Sequence, residues 1–140
     1  MLLVKTRIGP SKIHGIVLFA EERITHGQIV WAFDDRFDKR IPVSQLPKLP
    51  KLVRVFLKTY GYEEINDGEH TIVLCGDHAR HMNHSDRPNL IEAEVTFAAR
   101  DIEPGEELTC NYFTFDLDAR RKLSGDRRFR MPDHLPASRV

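Results

Sequence analysis

The sequence predicts a mainly β domain with one or two short helices. Short β-prone runs recur along the chain, and turn residues separate them roughly every eight to twelve positions. Only one stretch in the first half spaces its apolar residues three and four apart, as an amphipathic helix does. A length of 140 residues is one domain's worth and buries enough surface to fold without staples.

Residues 2–7 read as a first strand, broken by Gly9, Pro10 and Ser11. Ile16–Ala20 is a second strand, Gly27 marks a turn, and Ile29–Phe33 is a third strand. Asp34–Arg40 reads as a charged loop, and Pro42, Pro47 and Pro50 then leave little room for regular structure. Lys51–Tyr60 is the amphipathic helix, through Leu52, Val55, Phe56 and Thr59, with Gly61 as its stop. Tyr62–Ile65 and His70–Leu74 flank Asn66, Asp67 and Gly68, a hairpin signal. Ile91–Ala99 alternates as a strand with one wet face, and Pro104 and Gly105 form a turn. Leu108–Phe113 is a last short strand, and Asp116–Leu123 a short helix.

With 41% hydrophobic and 30% charged residues the chain is too apolar to be disordered. Its 21 basic and 21 acidic residues balance, which argues against direct nucleic-acid binding. No apolar run approaches the ~20 residues of a membrane span, and Met1–Ile8 is too short for a signal-peptide core. Cys75 and Cys110 do not make a disulfide framework. The expectation is a reduced, cytoplasmic protein. Charge is uneven: the stretch from Ala119 holds Arg120, Arg121, Lys122, Arg127, Arg128, Arg130 and Arg139 against Asp126 and Asp133. We therefore divide the chain into a body, 1–116, and a basic tail, 117–140.

Residues 77–89 are the densest polar segment, and this many groups of fixed hydrogen-bonding geometry in a loop point to a site. His78, His81 and His84 are spaced for zinc, with Cys75 or Cys110 able to add a thiolate. Against this, no Glu accompanies the histidines, and Arg80 and Arg87 place positive charge beside a cation. No metal is expected. Ser85 lies in no nucleophile elbow, and Gly15 lacks the spacing of a dinucleotide cradle.

Three segments taken together resemble the SET-domain protein lysine methyltransferases. Residues 13–20 (Ile-His-Gly-Ile-Val-Leu-Phe-Ala), followed by Ile24 and Gly27, look like the family's opening glycine motif. Residues 80–89, Arg-His-Met-Asn-His-Ser-Asp-Arg-Pro-Asn, are similar to its Asn-His-Ser signature. Residues 105–112, Gly-Glu-Glu-Leu-Thr-Cys-Asn-Tyr, resemble its end motif. The likeness runs from about Lys5 to Tyr112, in order.

The resemblance implies small curved sheets in a β-clip, with the last two motifs crossing in a knot-like way. It also implies S-adenosylmethionine on one face and a lysine channel opening on the other. By position, His14, Gly15 and Ile16 would cradle the cofactor, Arg80 would shape its pocket, and Asn83 and His84 would bind it. Tyr112 would stand beside the reacting methyl, touching the cofactor, with Tyr62 preferred to Tyr60 as a second active-site tyrosine. Cys110, Phe113 and Phe115 would line the substrate channel. The chemistry is consistent: a lysine of pKa ~10.4 must lose its proton, and desolvation in a channel favours the neutral amine. A site of this kind needs one or two tyrosines and no strong base.

This chain departs from the family pattern in four places. Val17 stands where a second glycine is usual, a β-branched residue beside the cofactor. Asp86 replaces a cysteine, and no cysteine cluster follows Tyr112, so the basic tail, through Phe113, Phe115 or Phe129, would close the channel. Cys110 takes a place that is often aromatic and leaves room for more than one methyl. The partner implied is a lysine-containing protein or peptide, and a homodimer is plausible. The alternative reading is a catalytically weak or inactive SET-fold module that binds a peptide.

Overall fold

A computed structural model describes residues 1–12 and 15–124. Ile13, His14 and residues 125–140, Phe129 among them, lie outside the described residues. The strands are β1 (Thr6–Pro10), β2 (Ile16–Ala20), β3 (Ile29–Trp31), β4 (Lys39–Pro42), β5 (Tyr62–Asn66) and β6 (Glu69–Leu74), then β7 (Asn83–His84), β8 (Leu90–Glu92), β9 (Thr96–Ala98) and β10 (Thr109–Cys110). The helices are α1 (Lys51–Tyr60) and α2 (Ala119–Leu123), with 3-10 turns at Val43–Lys48, His78–His81 and Tyr112–Thr114.

These strands form four small sheets, not one large one. β1 pairs with β2, β4 and β5 flank β6, and β3 and β8 flank β9, all antiparallel. β7 and β10 pair in parallel, setting Asn83 against Thr109 and His84 against Cys110. Bridges between Ile24 and Ile102 and between Phe19 and Glu107 stitch the sheets together. The main core lies between them, with Leu18, Ile24, Val30, Leu90, Ile102 and Leu108 almost free of solvent. Two smaller clusters surround Trp31 with Cys75, and Leu46 with Leu57 and Ile72.

The hairpin at Asn66–Gly68 forms as expected: Asp67 and Gly68 both have positive φ, at 49° and 79°, as a two-residue hairpin turn requires. Several expectations need correction. The first strand begins at Thr6, not Leu2, and continues through Gly9 and Pro10, which an edge position tolerates. The loop at Asp34–Arg40 ends in β4, again an edge strand ending in a proline. Ile91–Ala99 is not one strand but the hairpin β8–β9, turning at Ala93–Val95. α1 has the predicted bounds and stops at Gly61, but its apolar stripe does not face the core: Leu52 is 81% and Val55 53% exposed, and Leu57 carries the burial.

Candidate functional site

The two late motifs are locked together by side chains as well as by the β7–β10 pair. Asn89 is buried. Its amide donates to the Glu107 carbonyl at 2.8 Å and accepts from the Thr109 N–H at 2.9 Å. His84 is buried too, and its Nδ1 accepts the Tyr112 N–H at 3.1 Å. That bond fixes the neutral tautomer with the proton on Nε2, which reaches Asp86 at 3.2 Å. Burial pulls the His84 pKa down, and Asp86 pulls it partly back. With both ring nitrogens engaged, His84 does not join His78 and His81 in a zinc set. Among the described residues no group of His, Cys, Asp and Glu is arranged to hold a metal ion.

Tyr112 is held on every side. Its hydroxyl donates to the Met82 carbonyl at 2.6 Å, and its ring lies between His84 and Phe115, with centroids 5.4 and 5.9 Å away. Burial raises its pKa well above the ordinary value, so the phenol stays protonated. Tyr62, at the start of β5, also meets Phe115 edge-on, at 5.1 Å, and is raised by burial in the same way.

Three cavities meet around these tyrosines. A central one of about 80 Å³ is walled by Tyr60, Tyr62, Glu92, Cys110, Tyr112 and Phe115, among others. On one side it shares Tyr60, Arg80, Met82 and Tyr112 with a pocket of about 330 Å³ that Gly15, Ile16, Val17 and Asn83 also line. On the other it shares Trp31, Tyr62, Glu92 and Phe115 with a pocket of about 260 Å³ that adds Phe33, Arg40, Glu64 and Glu94. The walls therefore run from the first-motif glycine, past Tyr112, to an outer pocket carrying three carboxylates.

Most residues expected at the site come together here. Gly15 takes φ +64°, a conformation that favours glycine, at the edge of the larger pocket. Ile16, Arg80 and Asn83 line that pocket, while His84 lies behind it and braces Tyr112. Val17 lines it while only 2% exposed, so its side chain is largely spent on the core. Phe113 packs edge-on against His84 at 5.5 Å and is not among the residues lining the three cavities.

Three residues escaped the sequence reading. Trp31 walls two cavities, and its buried indole N–H has no partner in the described structure. Glu92, read as part of a wet strand face, walls the same two. Lys122 lines the central cavity and pairs with buried Asp116 at 2.6 Å. Only the alternation around Glu92 held a signal, and it pointed to solvent.

The SET domain family model matches residues 15–113, most of the chain, and the protein belongs to the SET-domain family. Solved structures share the fold. A Plasmodium falciparum chain assigned as a histone methyltransferase aligns at TM-score 0.54 and 22% identity, over 79% of this chain and 95% of that one. Polycomb Repressive Complex 2 of Chaetomium thermophilum aligns at TM-score 0.63 and 22% identity, over 87% of this chain. The same complex, autoinhibited and bound to S-adenosylmethionine, aligns at 0.60 and 21%, over 88%. This chain spans 17% of the length of those two Polycomb chains. No curated protein matches it. Among the described residues no helix is long and apolar enough to cross a membrane.

Proposed function

We propose that this chain transfers a methyl group from S-adenosylmethionine to the side-chain amine of a protein lysine. The observation that carries the reading is a cavity walled by both Tyr62 and Tyr112, which shares Tyr112 with the Gly15 pocket and Tyr62 with the carboxylate pocket. The larger pocket suits the cofactor: it combines a glycine turn, the Asn83 amide, the Arg80 guanidinium and apolar walls. S-adenosylmethionine supplies an activated methyl on a positively charged sulfur. Gly15, Ile16, Arg80 and Asn83 would hold it, with His14 and His84 in the supporting roles that the family resemblance gives them.

Tyr112 and Tyr62, both kept protonated by burial, orient the amine by hydrogen bonding without fixing an extra proton on it. Cys110 and Phe115 wall the channel and exclude water, so alignment supplies the larger part of the rate. The outer pocket, with Glu64, Glu92 and Glu94 against Arg40, suits a basic peptide. In this reading residues 1–116 are the catalytic domain and residues 117–140 the segment that closes the channel, a task Lys122 begins. A homodimer closing that channel belongs to the same reading, and sedimentation at micromolar concentration tests it.

Calorimetric titration with S-adenosylmethionine and with S-adenosylhomocysteine is the primary test. Saturable binding at one site per chain, followed by labelled methyl appearing on a lysine peptide library, supports the enzyme. Peptide binding without cofactor binding instead supports the inactive module.

A further inference from the structure

Glu92 ends β8 and lines both the central cavity and the outer pocket, the two spaces a lysine side chain would cross. Its carboxylate accepts a hydrogen bond from the Thr96 hydroxyl at 2.7 Å. Among the described residues no cation pairs with it. The other carboxylate of the central cavity, Asp116, has Lys122. A carboxylate drawn out of water without a positive partner is costly, and here the missing partner is of the kind that this channel would admit.

Building on the methyl-transfer reading, we propose that Glu92 receives the ammonium group of the incoming lysine and takes one of its protons, passing a neutral amine on to Tyr112. One N–H bond of the ammonium breaks and its electron pair stays on nitrogen as the attacking lone pair. The proton forms an O–H bond on the Glu92 carboxylate. The pair is neutral overall before and after. Glu92 then returns the proton to water on the side of the outer pocket.

In water this transfer runs uphill, from a carboxyl of pKa ~4.3 to an amine of ~10.4. Burial works against the charged form of both groups, so a dry channel narrows the gap from both sides. Burial does raise the Glu92 carboxyl, and the Thr96 bond partly restrains it. The cations around it are directed elsewhere. Arg40 on β4 is paired with Glu64 on β5, Lys122 on α2 with Asp116, and Arg80 faces the Phe56 ring and forms no ion pair with Glu92 among the described residues. Tyr62, Tyr112, Cys75 after β6 and Cys110 on β10 are all pushed towards their neutral forms. Glu94, in the β8–β9 turn, adds a further negative charge to the outer pocket.

The test uses n-butylammonium chloride, a lysine side chain without its backbone, titrated calorimetrically into the full chain near neutral pH. Phosphate and Tris buffers, whose heats of ionisation differ, count the protons released. The wild type should bind with almost no proton release, because Glu92 keeps the proton. Glu92→Gln preserves shape; it should bind about ten-fold more weakly, or release about one proton per amine because nothing in the channel accepts it. Equal affinity and equal proton count in the two chains would overturn the proposal, as would absence of binding in the wild type. Thr96→Val provides a second arm should Glu92→Gln not fold. It removes the bond that favours ionised Glu92, so ammonium binding should set in at higher pH, and an unmoved profile counts against the proposal. Failure of S-adenosylmethionine to bind overturns the methyl-transfer reading alone. Cofactor binding without Glu92-dependent ammonium binding overturns this inference alone.

Discussion

The Tyr112 hydroxyl donates to the Met82 carbonyl at 2.6 Å, so the end motif is tied to the segment just before Asn83 by a side-chain bond. Tyr112→Phe removes the donor and leaves that carbonyl short of a partner, at a cost of about 1–3 kcal/mol. If Tyr112 aligns the amine, the same change should lower methyl transfer by about 10²-fold or more. Cofactor affinity should stay near wild type. Urea unfolding and cofactor titration on one preparation separate the two effects, and a rate unchanged beside a lower stability would confine Tyr112 to the core.

Cys110 is 1% exposed and walls the central cavity, as Tyr112 does. Cys110→Phe should narrow the space next to the amine and shift the products towards monomethyl-lysine, at an overpacking cost of about 1–3 kcal/mol. Intact-mass analysis of the peptide products checks this: a wild type that forms only monomethyl-lysine would remove the premise.

Acidification should weaken the fold below about pH 6.5, the ordinary histidine value. His84 is buried neutral with its pKa lowered, chiefly by burial, and His81 is lowered by burial and by Arg80 and His78. The unfolded chain therefore binds more protons in that window, so stability is present above pH ~6.5 and is lost as pH falls through the folded values. Protonating His84 at Nδ1 also removes the acceptor of the Tyr112 N–H. Glu92, raised, pulls the other way at lower pH. Urea midpoints measured against pH should slope less for His84→Asn than for the wild type.

Much of this architecture is legible in the residues. Asn66, Asp67 and Gly68 announce the β5–β6 hairpin because few sequences tolerate two consecutive positive φ values. The bounds of α1 follow from periodicity and from Gly61, where an added Cβ would run into Ile72 and the Leu57 carbonyl. Its outward stripe was not legible, because period alone says which residues share a face and not which face meets a neighbour. The β8–β9 turn was hidden because Ala93, Glu94 and Val95 contain no glycine or proline. At the site, Asn83, His84 and Tyr112 stand in recognisable motifs. Glu92 and Trp31 reach the cavity only because β9 brings β8 and β3 together, a pairing between distant segments.

Gly76 tests how tightly β4 and β6 are set. A Cβ there would meet the Phe37 carbonyl, and main chain cannot swing aside as a side chain can. Gly76→Ala should cost about 1–3 kcal/mol or more. Because Gly76 N–H also donates to buried Asp38 at 2.9 Å, the loss should appear as a lower melting temperature with the helical circular-dichroism signal of the native state kept. A melting temperature matching wild type would show that the loop gives way freely.

The pair between Lys122 and Asp116 is the last joint to probe. Asp116 is buried and accepts three bonds: from Lys122 at 2.6 Å, from the Glu63 N–H at 3.0 Å and from the Asp118 N–H at 2.9 Å. Lys122 also donates to the Gly61 carbonyl, so α2, β5 and the end of α1 converge on one ion pair beside Tyr62. Lys122→Met leaves a buried carboxylate without its cation and should cost about 3–5 kcal/mol. Adding Asp116→Asn to Lys122→Met removes the stranded charge while keeping an acceptor for the two N–H groups, and should recover part of the loss. Denaturant unfolding of the wild type, the two single variants and the double variant gives the coupling energy directly. Additive losses would mean the two side chains contribute separately, and that Tyr62 is held in place by the backbone bonds to Asp116 alone.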